Sequence, residues 1–285
     1  MKIQLTLPEK ITTPNDKLSK VIFDPSDCSF EKGEVNILEK KFPWNYITYV
    51  EFEGNPLKKF SPYEREVAMS CFSLYEKDMR YVTTEHIFKN MVQDKGSRIG
   101  PKEDLMIRQS LEHLISSTVR IDLSALRKMN YKVDGDELYG SILPAKVVTG
   151  ISVNGSRSRT VIHFLDESPL VTLAKIKNDQ LITYRMLPID SMKRTSHDRI
   201  ALMNYARRRI EECRIHPKMR RVVTFDDIFK KNNIEGKGKQ EKKRCRDFLI
   251  QCFEEWKQKG VIADYKTTKE KNKAHGYHSI EFSFQ

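Results

Sequence analysis

The chain has 285 residues, 39% of them hydrophobic and 32% charged, and no apolar run approaches the roughly 18 residues of a membrane span. Its first ten residues alternate polar and apolar positions instead of building a signal-peptide core, so neither secretion nor membrane insertion is expected. Lys and Arg number 51 against 39 Asp and Glu, a net charge of +12 that makes an anionic partner the first functional expectation.

Five scattered cysteines with no Cys-x-x-Cys pair indicate neither a disulfide framework nor a zinc ribbon, and fit a reducing cytoplasm. The length is that of about two domains. Residues 1–45 carry no net charge and read as an N-terminal extension. A helix is expected at about 62–77, followed by Val82-Thr83-Thr84-Glu85-His86-Ile87-Phe88-Lys89-Asn90, a short helix with a Thr suited to an N-cap, an acid in its first turn and an Ile-Phe pair to bury. A longer helix at about 101–118 places Ile107, Leu111, Leu114 and Ile115 on one stripe. The apolar strand Val119-Arg120-Ile121 follows, and then a hairpin, in which 151–153 and 160–164 flank the turn dipeptide Asn154-Gly155 with Arg157 and Arg159 beside the tip.

Pro188 and the polar Lys193-Arg194-Thr195 mark a boundary near 187–196, which divides the chain into domains at 46–190 and 191–285 and predicts two cooperative folding units. The second domain repeats the first at a constant offset that places Val223 on Val82. Val223-Thr224-Phe225-Asp226-Asp227-Ile228-Phe229-Lys230-Lys231 matches the first short helix at five of nine positions. A helix at about 197–214 precedes it. A helix at about 239–259 follows, with Cys245, Phe248, Leu249, Cys252, Phe253 and Trp256 at helical spacing. Strand Val261-Ile262-Ala263 opens a second hairpin whose tip holds Lys269, Lys271 and Lys273. Helix, helix, helix, hairpin is the order of a winged helix-turn-helix, so the expected fold is α+β with two such domains in tandem.

Charge then locates the contact. The last 90 residues hold 22 Lys or Arg against 13 Asp or Glu, a net +9 of the total +12. In a helix-turn-helix the third helix enters the major groove with its N-terminal residues at base edges. Here Lys237, Lys239, Lys242, Lys243, Arg244 and Arg246 surround the start of that helix. Lys242, Lys243 and Arg246 lie away from the Phe248, Cys252 and Trp256 stripe. The planar fork of Arg246 suits bidentate contact with guanine, and Lys242 and Lys243 suit phosphate. Catalysis is not expected. Gly236-Lys237-Gly238-Lys239 lacks the Walker pattern, and Cys213-x-x-His216 and His275-x-x-His278 find no companions at zinc spacing. No His-x-His occurs to supply the metal pair of a rolling-circle nickase, so no metal and no cofactor are expected.

Phe60-Ser61-Pro62-Tyr63-Glu64-Arg65-Glu66-Val67, Tyr81-Val82-Thr83, Tyr139-Gly140-Ser141-Ile142-Leu143-Pro144 and Trp256-Lys257-Gln258-Lys259-Gly260-Val261-Ile262 carry a further reading. With the element order, they resemble plasmid replication initiators of the tandem winged-helix type, in particular initiator-like proteins of Gram-positive bacteria and their mobile elements. The likeness extends over about 45–284. It implies binding to repeated double-stranded origin sites (iterons) chiefly through the C-terminal module, opening of an adjacent AT-rich tract, recruitment of a host helicase or its loader, and homodimers that repress their own promoter. A transcriptional regulator built from the same domains is the alternative, because a winged helix reads DNA the same way at an origin and at a promoter. A nickase and a protein-interaction module with an incidental basic face rank below it.

Overall fold

The computed structural model describes residues 10–23, 34–41, 44–53, 60–150, 159–177, 180–185, 196–269 and 277–284. The first half runs β1 (Lys10–Pro14), α1 (Lys17–Ile22), β2 (Glu34–Lys41), β3 (Trp44–Glu53), α2 (Pro62–Tyr75), β4 (Tyr81–Thr83), α3 (Thr84–Val92) and α4 (Pro101–Ser116). It continues through β5 (Thr118–Asp122), α5 (Ser124–Lys128), β6 (Glu137–Ser141), β7 (Ala145–Gly150), β8 (Arg159–Phe164), α6 (Pro169–Ile176) and β9 (Leu181–Arg185). The second half is α7 (His197–Ile215), β10 (Val222–Thr224), α8 (Phe225–Lys231), α9 (Lys239–Gln258), β11 (Asp264–Lys269) and β12 (Tyr277–Ser283). Helices and largely antiparallel strands thus make a mixed, α+β architecture. Among the described residues no helix is long and apolar enough to cross a membrane.

The internal repeat is visible in three dimensions. Thr83 and Thr224 each cap the helix that follows, their hydroxyls accepting from the amides of His86 at 3.3 Å and Asp227 at 3.4 Å. The strand before each cap joins a three-stranded antiparallel sheet of equivalent order, β4-β8-β7 in one half and β10-β12-β11 in the other. Ile107, Leu111 and their counterparts at the same offset, Phe248 and Cys252, are all buried.

Three features depart from the sequence reading. Strand 118–122 forms, but it pairs with β3 and β6 in a separate sheet of order β2-β3-β5-β6, and the first hairpin begins at Ala145, ahead of the expected 151. The turn Asn154-Gly155 and Arg157 lie outside the described residues. Residues 261–263 are not a strand. Gly260, at φ +68°, ends α9, and the Val261 amide turns back to the Trp256 carbonyl at 2.8 Å, so β11 starts at Asp264. The segment read as an extension carries β1, α1, β2 and the start of β3; β1 pairs with β9 from Lys10↔Arg185 to Pro14↔Leu181.

The two halves share one continuous buried cluster, in which Leu18, Phe72 and Leu111 belong with Ile200, Phe225 and Trp256. Helix α7 makes the junction. Its Asn204 side chain donates to the Met91 carbonyl at 3.1 Å. Its Arg208 donates twice to the buried Glu66 carboxylate of α2, at 2.9 and 3.0 Å. Arg65 donates to the same carboxylate at 2.9 Å and to the Asn232 carboxamide oxygen at 2.9 Å.

His86 adds a pH-dependent element. Its Nδ1 accepts from the Thr83 amide at 2.9 Å, closing a capping box at the start of α3. Burial pushes its pKa down from 6.5 to about 4, against the opposing pull of Glu85 and with a smaller push from Lys89. The unfolded chain therefore takes up this proton first, so the contribution of His86 is fully present above pH 6.5 and is lost as pH falls towards 4. Between those limits His86→Gln, which keeps an acceptor but cannot titrate, should show a flatter dependence of the urea midpoint on pH than the parent. Superimposable pH profiles would contradict this assignment.

Candidate nucleic-acid interface

Helix α9 is amphipathic by composition and by placement. Cys245, Phe248, Leu249, Cys252, Phe253 and Trp256 are all buried. Phe253 packs edge-on to Trp256 with centroids 5.1 Å apart, and meets Phe282 of β12 at 5.9 Å. That stripe turns the opposite side outward. Lys239, Lys243 and Arg244 are exposed and Lys242 is half-buried. Among the described residues Lys239, Lys242 and Lys243 have no ion-pair partner, whereas Arg244 donates to Glu241 at 3.4 Å.

The helix dipole opposes this arrangement. Cations at a helix N-terminus face the positive end of the macrodipole and cost about 0.3–1 kcal/mol each where exposed. The first turns of α3, α4 and α8 carry acids, Glu85, then Glu103 and Asp104, then Asp226 and Asp227. In α9 the single first-turn acid, Glu241, is outnumbered by lysines, and Gly238 at the N-cap offers no side chain to the free amides. The start of α9 thus joins unpaired amides to unpaired ammonium groups, an arrangement suited to phosphate.

The remaining residues singled out from the sequence divide into four groups. Lys237 is engaged in an ion pair with Asp198, which fastens the turn before α9 to the first turn of α7. Arg246 does not face away from the apolar side. Its guanidinium lies over the rings of Phe225 and Phe229 at 5.8 and 5.4 Å, and its Nε is buried without a hydrogen-bond partner. The cause is geometric: Arg246 directly follows the buried Cys245, and the two α8 aromatics extend the apolar surface to reach it. Lys269 pairs with Tyr277 beyond an irregularity in the β11–β12 ladder, and Arg159 pairs with Gly150 in the β7–β8 ladder. Lys271 and Lys273 lie outside the described residues.

The corresponding helix of the first half has a different surface. On α4, Lys102 and Leu105 are exposed, Arg108 is held by Asp104 at 2.7 Å, and Glu103, Asp104 and Glu112 outnumber the two cations. The two long helices occupy equivalent places with unlike chemistry. Sequence reasoning missed the cations at the junction of the halves, Arg65 and Arg208, which belong to different halves of the chain and share no motif. Among the described residues no group of three His, Cys, Asp or Glu side chains is placed to hold a metal ion.

The chain is similar in structure to a crystal structure of selenomethionine derivatives of domains 2 and 3 of RctB. The TM-score is 0.43 at 13% identity, covering 93% of this chain and 98% of that one. It is also similar to a crystal structure of RctB domains 2–3, residues 155–483, with TM-score 0.41 and 14% identity, covering 88% of this chain and 92% of that one. No protein-family model matches the chain, and no curated protein matches it.

The placement of Arg246 separates a packing role from a surface role. Arg246→Ala removes a cation from two aromatic faces together with the stem that covers them, and should lower unfolding free energy by about 1–2 kcal/mol. Lys243→Ala should stay within about 0.5 kcal/mol. Equal urea midpoints for both variants would contradict the packing role of Arg246.

Proposed function

We propose that the protein is a sequence-specific double-stranded DNA-binding protein that initiates replication of a plasmid or mobile element. In this reading each half is a winged helix-turn-helix, α2–α3–α4 with the β7–β8 wing and α7–α8–α9 with the β11–β12 wing. Helix α9 is the recognition helix of the second unit. The observation that carries the reading is the unpaired lysine surface of α9, Lys239, Lys242 and Lys243, set opposite the buried stripe and against the helix dipole. Such a surface is repaid by an anionic partner. A helix start that fits a major groove, followed by a hairpin, fits duplex DNA.

Base reading falls to side chains of α9 that are both exposed and near its start. Lys243 and Arg244 meet that description better than Arg246, which contributes by fixing α9 on α8. Lys239 and Lys242, with the wing lysines Lys269, Lys271 and Lys273, are assigned to phosphate, as are Arg157 and Arg159 of the first wing. Because α4 has lost the cationic surface of α9, the first half contributes backbone and protein contacts, including those of a homodimer and of a host helicase or its loader. The protein acts in the cytoplasm by binding and distorting DNA, without catalysing a chemical step and without a cofactor.

The reading is tested by cloning the reading frame with its flanking DNA into a plasmid whose own initiator has been deleted. Replication of that plasmid, and a sequence-specific gel shift on directly repeated sites within the flanking DNA, are the expected results. Specific binding confined to a promoter, with no replication, would replace the initiator with a transcriptional regulator. Equal affinity for specific and scrambled duplexes would overturn the sequence-specific reading.

A further inference from the structure

The loop that joins α7 to β10 carries a second concentration of positive charge. Residues 214–221 hold Arg214, Lys218, Arg220 and Arg221 and no acid. The corresponding positions of the first half, 73–80, hold two cations and two acids. There Glu76 is paired with Lys175 at 2.9 Å and Asp78 with Arg80 at 3.1 Å. In the second half Lys218 and Arg220 are exposed and, among the described residues, have no ion-pair partner. Their neighbour Ile215 keeps 52% of its surface exposed, whereas its counterpart Leu74 is fully buried. The repeat requires neither the charge nor the exposed isoleucine, because the first half makes the equivalent turn from helix to strand without them.

The loop is held in place by its backbone. The Arg220 carbonyl accepts from the Arg209 guanidinium at 3.2 Å and from the Val222 amide at 2.9 Å, and the Arg221 carbonyl accepts from the Phe282 amide at 3.1 Å. The guanidinium groups of Arg214 and Arg221 both lie 5.1 Å from the centroid of the Phe284 ring. Arg214 also donates to Glu211 and to the Val261 carbonyl, each at 2.6 Å, which leaves Lys218, Arg220 and Arg221 to offer their donors outward. These contacts set the loop at the base of the β11–β12 hairpin, at the opposite end of the ladder from Lys269↔Tyr277, and beside the end of α9. Helix α9 has 20 residues, about 30 Å at 1.5 Å per residue, and the loop stands about that far from the lysines at its start.

We infer that this surface docks an acidic peptide segment of a partner protein. Lys218, Arg220 and Arg221 meet its carboxylates, and an apolar side chain of the peptide covers Ile215 and the exposed Pro217. The chemistry favours carboxylates: a guanidinium fork matches them bidentately, and Arg221 is already steadied by an aromatic ring. A duplex brings phosphates but nothing to cover Ile215 and Pro217, and the start of α9 and the hairpin tip face the other way. Only that contrast with duplex DNA rests on the reading of α9 as the DNA-facing helix. The charge and the exposed apolar side chains call for an acidic partner whether or not that reading holds.

The test titrates the full-length protein into a fluorescein-labelled peptide, Glu-Asp-Leu-Asp-Glu-Leu-Asp-Asp, and follows fluorescence anisotropy. A second peptide carries serine in place of both leucines. Saturable binding of the first peptide, and weaker binding of the second, are expected. The double variant Lys218→Gln, Arg220→Gln should weaken binding of the leucine peptide by about tenfold, the loss of two exposed charge pairs. Ile215→Ser should weaken it several-fold and leave the serine peptide unaffected. Duplex affinity of the double variant should be unchanged, because screening at physiological salt acts over about 8 Å. The proposal is overturned if the leucine peptide does not bind saturably, if the double variant binds it as the parent does, or if the two peptides bind alike. It also falls if duplex DNA displaces the peptide, which would assign the loop to nucleic acid. Loss of self-association in the double variant would assign it instead to a second copy of the chain and equally overturn the proposal.

Discussion

Helix α9 has one face that must be buried, and most of the functional reading follows from that requirement. Six side chains from Cys245 to Trp256 enter the core of the second half, each worth about 1.5–3 kcal/mol for the larger ones when removed from water. Repulsion among exposed like charges on a helix is a few tenths of a kcal/mol per pair. Burial therefore wins easily, and it fixes the rotation of the helix whatever charges remain outside. Lysines that would be ill-placed on a free helix are held outward at its N-terminus.

The second determinant is the buried charge network between the halves. Arg65, Glu66 and Arg208 are almost excluded from solvent, with 9%, 3% and 14% of their side chains exposed. Removing one member of such a group typically costs about 3–5 kcal/mol, although a well-packed apolar replacement of the whole can be neutral. The network therefore contributes direction more than net stability. It allows α7 to sit on α2 in one register. Asn204 and Asn232, each donating or accepting across the same junction, restrict that register further.

Much of the local structure was legible because local physics produces it. The caps at Thr83 and Thr224, the acidic first turns of α3 and α8, and the stripes of α4 and α9 depend on neighbours within one or two turns, so the repeat that sets Val223 on Val82 could be read from them. Pairings between distant segments left no such trace. Strand β1, near the start of the chain, finds β9 at the end of the first half, and β5, though correctly expected as a strand, joins β3 instead of the β7–β8 hairpin. Val261-Ile262 is apolar because Ile262 is buried, not because it is extended; burial alone does not distinguish a turn from a strand. Charge and helical period placed Lys242 and Lys243 away from the buried stripe of α9, where the structure has them. They failed for Arg246 because its environment is set by Phe225 and Phe229 on another helix.

The most direct measurement of the central claim is the salt dependence of duplex binding by the parent, Lys239→Ala, Lys242→Ala and Lys257→Ala. If the start of α9 lies on DNA, the first two variants should each reduce the slope of log K against log salt concentration by about one where a phosphate contact is lost. Lys257, paired with Asp264 at 2.8 Å near the far end of the helix, should leave the slope unchanged. The same slope for all four proteins, with folding intact, would contradict the account and make the lysine surface of α9 an ordinary solvated face.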